Sequence, residues 1–432
     1  MKSSKPSLVG LVGLVLGASG PSAPARAETW PDRSGGTQLT GSVAVGFDSF
    51  REKYSIVDRD TLDDVNEFRA TASLGVLTGA FLHDFLLVEG RAQYGDDSYE
   101  TGARLRFLQR LWSGSSRVSF DGDIVRRSFG DGSSYQFPND YTRVYARGYF
   151  RQSVSESFAI RLADRLEYQN FEQRTEFDYD YVKNKISLSG EFEKYLSTWL
   201  DAQAMYVTMT IPDSTEIEYD AVVPSIEFRY LAALHQGVAL RAGGERRIYE
   251  ENSPRSSYWS AAASVSAQWP FGVSVSGEIE NDFEWYQYDR KDAVYFDFVE
   301  NRTSLLLNWH PSLYASAGAG PTFAFLQSDV SDEDDYSEYG ATVAVDYSRA
   351  GGGGFSLSYE VGKRWYQSFD GDDGDFSLFS DFVYHRIAAF VSQRLWDGVT
   401  FTGLLDYQPE DHVREDDDAT ATLFSLSVAY TF

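Results

Sequence analysis

Residues 141–151 read Tyr-Thr-Arg-Val-Tyr-Ala-Arg-Gly-Tyr-Phe-Arg. Arginine and tyrosine occupy every second position, at Arg143, Tyr145, Arg147, Tyr149 and Arg151, and small or apolar residues fill most positions between them. Successive side chains of a β-strand point to opposite faces, so this alternation predicts a strand with one polar and one apolar face. An α-helix would instead repeat its apolar residues every three or four positions.

The same two-residue period continues along most of the chain from Leu39 onward. Apolar residues alternate with Ser and Asp over residues 118–124, and residues 424–432 alternate Phe, Leu, Val, Tyr and Phe with small residues. Counting such segments gives 20 candidate strands, or 18 within the error of the count, most of them 11–16 residues long. Strands of soluble proteins usually have about 5–6 residues, whereas tilted membrane strands need about 9–11 plus overhang. The strand length therefore favours a membrane barrel.

The connections between the candidate strands are of two kinds. One kind is very short, as at residues 113–116, 155–157, 270–272, 311–312, 351–354 and 397–398. The other kind is longer and acidic, as at residues 58–64, 329–335, 370–375 and 410–418. Outer-membrane barrels have short periplasmic turns and longer extracellular loops. We therefore predict an all-β protein, a single closed antiparallel transmembrane barrel of about 18–20 strands, with both termini on the periplasmic side.

A soluble β-propeller is the main competing architecture, because a hairpin recurs about every 40 residues and WD-type blades have a similar period. A blade would place four short strands in that span, where this sequence has two long ones. Residues 396–397 are also the only Trp-Asp pair of the chain. In a bilayer, only a closed barrel satisfies the hydrogen bonds of every strand amide. The alternation of polar and apolar faces thus favours a barrel with a polar lumen and a lipid-facing exterior.

The first 27 residues have the pattern of a signal peptide. Lys2 and Lys5 precede an apolar run over residues 8–18, and Ala25-Arg26-Ala27 supplies the small residues of a cleavage site. The apolar run is too short for a membrane-spanning helix, which needs about 20 residues. The sequence predicts a signal peptide at 1–27, a short periplasmic segment at 28–38 and the transmembrane barrel at 39–432. So short a segment leaves no room for an N-terminal plug domain.

The composition excludes several classes of partner and site. The 432 residues include 38 Lys and Arg, 65 Asp and Glu and no Cys, and the formal net charge is −27. Nucleic-acid binding needs clustered positive charge, so no nucleic-acid partner is expected. Without cysteine there are neither disulfides nor thiolate metal ligands. Aromatic residues make up 16% of the chain, far more than a disordered acidic chain contains.

The cleavage pattern, the alternating strands and the C-terminal Tyr430-Thr431-Phe432 together resemble the outer-membrane β-barrel class. Barrels of that class commonly end in an aromatic residue, and their last strand is read by the barrel-assembly machinery. The resemblance implies an assembly signal made of Phe424, Leu426, Val428, Tyr430 and Phe432. It also implies contact with outer-membrane lipid and lipopolysaccharide. Within the class, the size and the short loops are similar to those of the porin-like barrels linked to exopolysaccharide export.

Charged residues on the polar faces predict two stripes in the lumen. A basic and aromatic stripe comprises Arg104, Arg106, Arg110, Arg143, Tyr145, Arg147, Tyr149, Arg151, Arg161 and Arg165. An acidic stripe comprises Glu278, Glu280, Asp282 and Glu284. Rows of charge set the selectivity of pores, so the two stripes predict a transverse field. The alternative is that opposite charges pair and keep the wall wet and rigid.

A barrel of this size encloses an aqueous channel unless something blocks it. The sequence therefore favours a wide hydrophilic conduit. We expect this conduit to export a secreted polysaccharide and to have a periplasmic export protein as its partner. In that function, Tyr145 and Tyr149 would stack on sugar rings between the arginines. The alternative function is a general diffusion porin for small solutes. A second alternative is an outer-membrane hydrolase or a purely structural barrel.

Signals for catalysis, cofactors and metals are weak. The histidines are His83, His235, His310, His385 and His412, of which 235 and 310 are predicted at periplasmic turns and 412 in an acidic loop. His385 shares strand parity with Asp381, a pair that we interpret as a structural hydrogen bond rather than a catalytic dyad. No cofactor motif is present. Carboxylates that could bind Ca²⁺ in the loops are Asp332, Asp334, Asp372 and Asp375, for which plain solvation is the alternative.

Overall fold

The computed structural model describes residues 36–432 apart from gaps at 57–58, 81–83, 97, 131–138, 174–177, 196, 213, 234–235, 293, 330–334, 350–351, 368–379 and 415–417. The predicted signal peptide at 1–27 and most of the segment at 28–38 lie outside the described residues. In the described part of the chain, no helix has the length and the apolar character needed to cross a membrane.

Twenty β-strands account for most of the described chain. They are β1 (Thr37–Ile56), β2 (Arg59–Ala80), β3 (Asp84–Gly95), β4 (Ser98–Leu111), β5 (Ser116–Phe129), β6 (Tyr141–Ser153), β7 (Phe158–Phe171), β8 (Tyr181–Lys194), β9 (Thr198–Thr210), β10 (Tyr219–Ala233), β11 (Gln236–Tyr249), β12 (Tyr258–Pro270), β13 (Val275–Tyr288), β14 (Phe298–Ser312), β15 (Ala315–Ser328), β16 (Tyr336–Arg349), β17 (Gly353–Tyr366), β18 (Phe382–Trp396), β19 (Val399–His412) and β20 (Ala419–Thr431). Single 3-10 turns lie at Trp112–Gly114 and Thr215–Ile217.

The twenty strands form one closed sheet. Each strand pairs in antiparallel fashion with the strands that precede and follow it in sequence, and β1 also pairs with β20. Phe432 extends this closure, because its backbone amide donates to the Gly41 carbonyl at 3.0 Å and its carbonyl accepts from the Gly41 amide at 3.1 Å. A closed barrel leaves no unpaired strand edge in the membrane. The predicted fold class is confirmed, at the upper end of the expected strand number.

The connections fall into the two predicted kinds. After the even-numbered strands the chain turns within two to four residues, as at 112–115 and 397–398. From β5 onward, the connections after odd-numbered strands contain 6 to 15 residues, and 367–381 is the longest. The side with the short turns is periplasmic and the side with the long loops is extracellular. Odd-numbered strands therefore run toward the cell exterior and even-numbered strands return.

Three predicted loop or turn positions are wrong, and one of them is the short turn predicted at 311–312, because β14 continues to Ser312. The acidic loop predicted at 58–64 lies almost entirely within β2, which pairs with β1 up to Ile56 and Arg59. This hairpin passes the rim, since β20 pairs with β1 only as far as Lys53. A hairpin that projects into water needs no apolar face, so its sequence lacks the membrane pattern. His412 likewise ends β19 instead of lying in a loop.

The strand register separates an outward from an inward set of side chains. Residues directly opposite each other share a face, and one face carries exposed apolar residues, such as Leu162 and Leu188 on β7 and β8. On the same outward face, Trp259 lies toward the extracellular ends of the strands and Trp309 toward the periplasmic ends. An apolar belt between aromatic girdles is the lipid-facing surface of a membrane barrel. The protein is a β-barrel of the outer membrane.

A side-chain acceptor closes most of the extracellular hairpins in the same way. In six of them, the backbone amide of the last residue of the outgoing strand donates to the aspartate directly before the returning strand. The pairs, with N···Oδ1 distances of 2.6–2.9 Å, are Phe129–Asp140, Phe171–Asp180, Tyr288–Asp297, Ser328–Asp335, Tyr366–Asp381 and His412–Asp418. Each carboxylate supplies the acceptor that the strand end lacks in the ladder. We call these contacts hairpin latches.

Replacing Asp180 by alanine (Asp180→Ala) is expected to lower the free energy of unfolding by about 1–3 kcal/mol, because the amide of Phe171 loses its acceptor. Asp180 is buried, and its second carboxylate oxygen also accepts from the Asn170 side chain at 2.8 Å. Urea unfolding in lipid vesicles measures the change. Glu251→Ala, at an exposed loop position, is the matched control. An equal loss of stability in both variants would contradict the role of the latch.

Candidate functional site: the lumen

The inward face of β4, β6 and β7 carries every residue of the predicted basic stripe. The register joins these residues across the strands, for example Arg147 opposite Arg165 and Arg151 opposite Arg161. The intervening residues of the same strands, such as Leu162, are exposed on the lipid face. A slip of one residue would exchange the two faces, so burial of one face in lipid fixes the register. We call β4–β8 and its inward side chains the basic sector.

Within the basic sector, cations stand directly opposite one another on neighbouring strands. One row crosses β4–β7 and consists of Arg110, Arg117, Arg151 and Arg161. A second row crosses β6–β8 and consists of Arg147, Arg165 and Lys185. Residues opposite each other have Cβ atoms about 4.5–5.5 Å apart, and like charges in that arrangement are destabilising. The rows therefore favour nearby anions, whether these belong to the protein or to a solute.

Carboxylates of the protein neutralise part of this sector. Glu191 contacts Arg151 at 2.7 Å and Arg161 at 2.9 Å. Asp121 accepts two hydrogen bonds from Arg104, at 3.1 and 2.8 Å. These contacts correspond to the alternative in which opposite charges pair along the wall. Because both partners of each pair stay partly exposed to water, the net stabilising effect of these ion pairs is small.

Other cations of the sector form no ion pair with a described residue. They are Arg117, Arg143, Arg147, Lys183 and Lys185. Sequence reasoning missed the two lysines, although residues 182–185 alternate Val-Lys-Asn-Lys and so carry the signal of a polar inward face. The structure adds β8 to the predicted stripe. The basic sector consequently has an excess of positive charge.

The two tyrosines of the basic stripe differ in their surroundings. The Arg165 guanidinium lies 4.8 Å from the ring centroid of Tyr145, a cation–π contact. One ring face of Tyr145 is thus covered by protein and is closed to a sugar. Tyr149 lies opposite Ser119 and Ala163, two small residues.

The predicted acidic stripe lies on the inward face of β13, seven strands from β6 in a wall of 20. Its neighbours on β12 are small or uncharged, since Glu280 lies opposite Ser266 and Asp282 opposite Ser264. On β14, Arg302 is opposite Asp282. The stripe therefore faces the lumen with little shielding, and opposite charges occupy separate sectors of the wall.

A buried carboxylate that sequence reasoning did not single out organises β14 to β18. Glu338 on β16 is 3% exposed, and its Oε2 accepts from Arg364 at 2.9 and 2.7 Å. The Tyr384 hydroxyl lies 2.8 Å from Glu338 Oε1 and 2.9 Å from Glu360 Oε1. Gly362 makes this possible, because a Cβ there would meet the Tyr384 ring at 2.5 Å. We call this set of contacts the Glu338 network.

Aromatic rings line the inside of the extracellular mouth. Ring pairs with centroid distances of 4.8–6.0 Å are Tyr141–Phe171, Tyr219–Tyr249, Tyr286–Phe298 and Tyr336–Tyr366. Arginines lie between rings in two places: Arg247 is 4.3 Å from the Tyr219 centroid, and Arg364 is 3.9 Å from the Tyr336 centroid. Several of these residues flank hairpin latches. We call the ring-lined mouth the aromatic collar, and its mutual packing makes it a stiff entrance.

Ion pairs also join neighbouring extracellular loops above the collar. The Lys291 ammonium lies 2.7 Å from Asp297 and also contacts Asp329. The hydrogen bond from this ammonium lowers the pKa of the Asp329 carboxyl. Asn139 donates to Asp178 at 3.0 Å and so connects the loops after β5 and β7. These exposed contacts hold the loops together at the rim.

The described histidines have structural surroundings. His385 faces outward and its Nδ1 lies 2.8 Å from the Tyr359 hydroxyl, so the predicted bond to Asp381 is wrong. His310 and His412 contact Ser276 and Ser380 at 2.9 and 3.0 Å. Both serines are at most 1% exposed, which closes them to a substrate. His83 and His235 lie outside the described residues.

Two further sets of predicted residues have different positions. The residues proposed as the assembly signal line the outward side of β20, where Phe424 contacts Phe47 of β1 at a ring distance of 6.5 Å. The four loop aspartates proposed for Ca²⁺, at 332, 334, 372 and 375, lie outside the described residues. Among the residues that are described, no group of three or more His, Asp or Glu side chains has the geometry of a metal site.

Solved structures of outer-membrane porins resemble this barrel at low sequence identity. Pseudomonas aeruginosa OprD is 11% identical over 91% of this chain and 95% of its own, with a TM-score of 0.48. Acinetobacter baumannii OccAB4 is 8% identical over 91% of this chain and 98% of its own, also at 0.48. The P. aeruginosa outer membrane protein OpdK is 10% identical over 91% and 98%, at 0.47. No protein-family model and no curated protein matches the chain. At these values the likeness carries no substrate over to this chain.

Proposed function

We propose that the barrel is a passive channel through which small hydrophilic solutes cross the outer membrane. The observation that carries this proposal is the segregation of charge on the inward wall. Cations on β6 and β8 form no ion pair with a described residue, and carboxylates lie on β13. Rows of charge at close range set the selectivity of a pore. A barrel has no energy source of its own, so solutes move down their concentration gradients.

The crowding of the lumen supports small solutes over a polymer. Arg302 reaches from β14 across β15 and β16 to contact Glu360 on β17, and Tyr336 on β16 donates to Glu300 on β14 at 2.8 Å. Side chains that span non-adjacent strands lie over the wall and narrow the bore. The aromatic collar narrows the extracellular mouth further. Polysaccharide export, the function expected first from the sequence, therefore has less support than the diffusion of small solutes.

The charge pattern also favours a class of small solute. A negatively charged group that enters the basic sector meets Arg143, Arg147 and Lys185, which have no ion-pair partner among the described residues. The carboxylates on β13 repel the same group, so an anion is guided along β6–β8. Opposite charges in separate sectors would orient a solute that carries both signs. The proposal is a channel that admits small polar solutes and interacts most strongly with their anionic groups.

The purified barrel is expected to form steady channels in planar bilayers and to let mono- and disaccharides enter liposomes while excluding long dextrans. The reason is the narrowing of a polar lumen by the collar and by the Glu338 network. Conductance recording and liposome swelling with sugars of increasing size make the two measurements. Entry of long dextrans would favour the polysaccharide conduit instead. The absence of any conductance would contradict both channel functions and would favour a purely structural barrel.

A further inference from the structure

Two periplasmic turns carry large aromatic residues in a strained backbone conformation. Trp112 (φ 47°) and Tyr195 (φ 53°) are the non-glycine residues with positive φ among those described. The turns after β16 and β18 reach the same region of backbone space with Gly352 (φ 83°) and Gly398 (φ 76°). Side chains with a Cβ are disfavoured there, whereas glycine adopts it freely. An aromatic residue in place of glycine therefore points to a function of the side chain.

The strained backbone changes the direction of these two side chains. Arg110 precedes Trp112 by two residues, and Glu193 precedes Tyr195 by two residues. Both point inward, so strict alternation would also point Trp112 and Tyr195 into the lumen. Instead, the Trp112 ring packs edge-on against Phe150, a residue of the lipid face, at 6.3 Å. Lys194, on the outward side of β8, places its ammonium 5.5 Å from the Tyr195 ring centroid. Trp112 and Tyr195 are 68% and 87% exposed.

The turn that carries Tyr195 borders a cleft with both signs of charge. The cleft has a volume of 410 Å³ and is lined by Glu156, Ser157, Glu193, Lys194 and Tyr195. It lies at the periplasmic rim, with Glu193 on the lumen side and Lys194 and Tyr195 on the outward side. Aromatic residues with an apolar body and a polar tip are favoured at this depth, and lysine extends its ammonium toward lipid phosphates.

We propose that this cleft binds the headgroup of a phosphoethanolamine phospholipid of the periplasmic leaflet. The phosphate would accept hydrogen bonds from Lys194 and Ser157, and the primary ammonium would donate to Glu156. Charge-assisted hydrogen bonds of both kinds are stronger than neutral ones. The Tyr195 ring lies beside the glycerol region, and Trp112 lies in the same interface two turns away, after β4. The strain at Tyr195 is retained because the bound lipid depends on its side chain.

The test measures lipid binding to the full barrel in detergent, by native mass spectrometry and by the thermal midpoint during titration with defined phospholipids. The wild type should bind phosphatidylethanolamine in preference to phosphatidylglycerol, which has the phosphate but no amine. Lys194→Gln should weaken phosphatidylethanolamine binding by about tenfold, the loss of one charge-assisted contact. Leu313→Gly, at another exposed periplasmic turn, is the control and should leave binding unchanged.

Tyr195→Gly gives two effects of opposite sign. It removes the backbone strain, so the thermal midpoint without lipid should rise, while the affinity for phosphatidylethanolamine should fall. Equal binding of the two phospholipids by the wild type would overturn the proposal. So would a Tyr195→Gly barrel that binds lipid normally, or one that is less stable without lipid, because the ring would then serve only to pack the turn. Solute conductance is measured in parallel and is independent of this outcome.

Discussion

Replacing Glu338 by alanine (Glu338→Ala) is expected to destabilise the barrel by about 3 kcal/mol. The substitution leaves Arg364, which now donates twice to Glu338 Oε2, without its carboxylate while rings still cover it. It also removes the acceptor that lies 2.8 Å from the Tyr384 hydroxyl. Removing one partner of a buried ion pair costs about 3–5 kcal/mol, and the partial exposure of Arg364 places the loss at the lower end. Urea unfolding in lipid vesicles measures it.

The matched control for this substitution is Glu280→Ala. Glu280 points into the same lumen from β13, between serines on both neighbouring strands, and it has no hydrogen bond or ion pair to another described residue. Its removal should change the unfolding free energy by less than about 0.5 kcal/mol. Glu338→Gln keeps an acceptor but loses the charge, so an intermediate loss is expected. Similar losses for Glu280→Ala and Glu338→Ala would show that the network contributes no specific stability.

The face of each strand could be predicted from sequence because the membrane imposes a two-way choice at every position. A strand with lipid on one side and water on the other must alternate apolar and polar residues, and residues 141–151 show this alternation directly. The same logic placed Glu278 and Glu284 on one face of β13. The alternation rule no longer applies beyond the membrane rim, because a strand there has water on both sides. For that reason the prediction of a loop at 58–64 was wrong.

Partners of individual charges could not be predicted, because they depend on contacts between strands that are distant in sequence. Glu338 and Tyr384 meet across β17 only where Gly362 leaves space. Asp335 and Asp418, each at the end of an acidic loop, accept backbone amides in hairpin latches, a role that acidic composition alone does not predict. A signal was present in the sequence: aspartate is followed by an aromatic residue at the start of five returning strands, at 140, 180, 297, 335 and 381.

Reversing the two cations of β6 that form no ion pair with a described residue (Arg143→Glu with Arg147→Glu) is expected to lower the permeability of anions relative to cations by about thirtyfold. A unit charge about 8 Å from a passing ion contributes about 0.5 kcal/mol in water, and two reversals change the local charge by four units. Screening at about 0.1 M salt reduces the sum of about 2 kcal/mol to about 1 kcal/mol for each ion. The anion is disfavoured and the cation favoured by this amount, so the ratio changes by about 2 kcal/mol. The reversal potential in a salt gradient across a planar bilayer measures the ratio.

The sign of this effect should follow the sign of the changed charge if the lumen charges govern transport. Arg143→Gln with Arg147→Gln removes half as much charge and should give about half the change in free energy. Glu280→Lys acts on β13, seven strands away, and should raise the permeability of anions relative to cations. Lys363→Glu lies on the outward face of β17 and should leave the ratio unchanged. If Glu280→Lys and the β6 reversals moved the ratio in the same direction, the lumen charges would not be acting through the field of their own sector, and selectivity would have to arise at the loops.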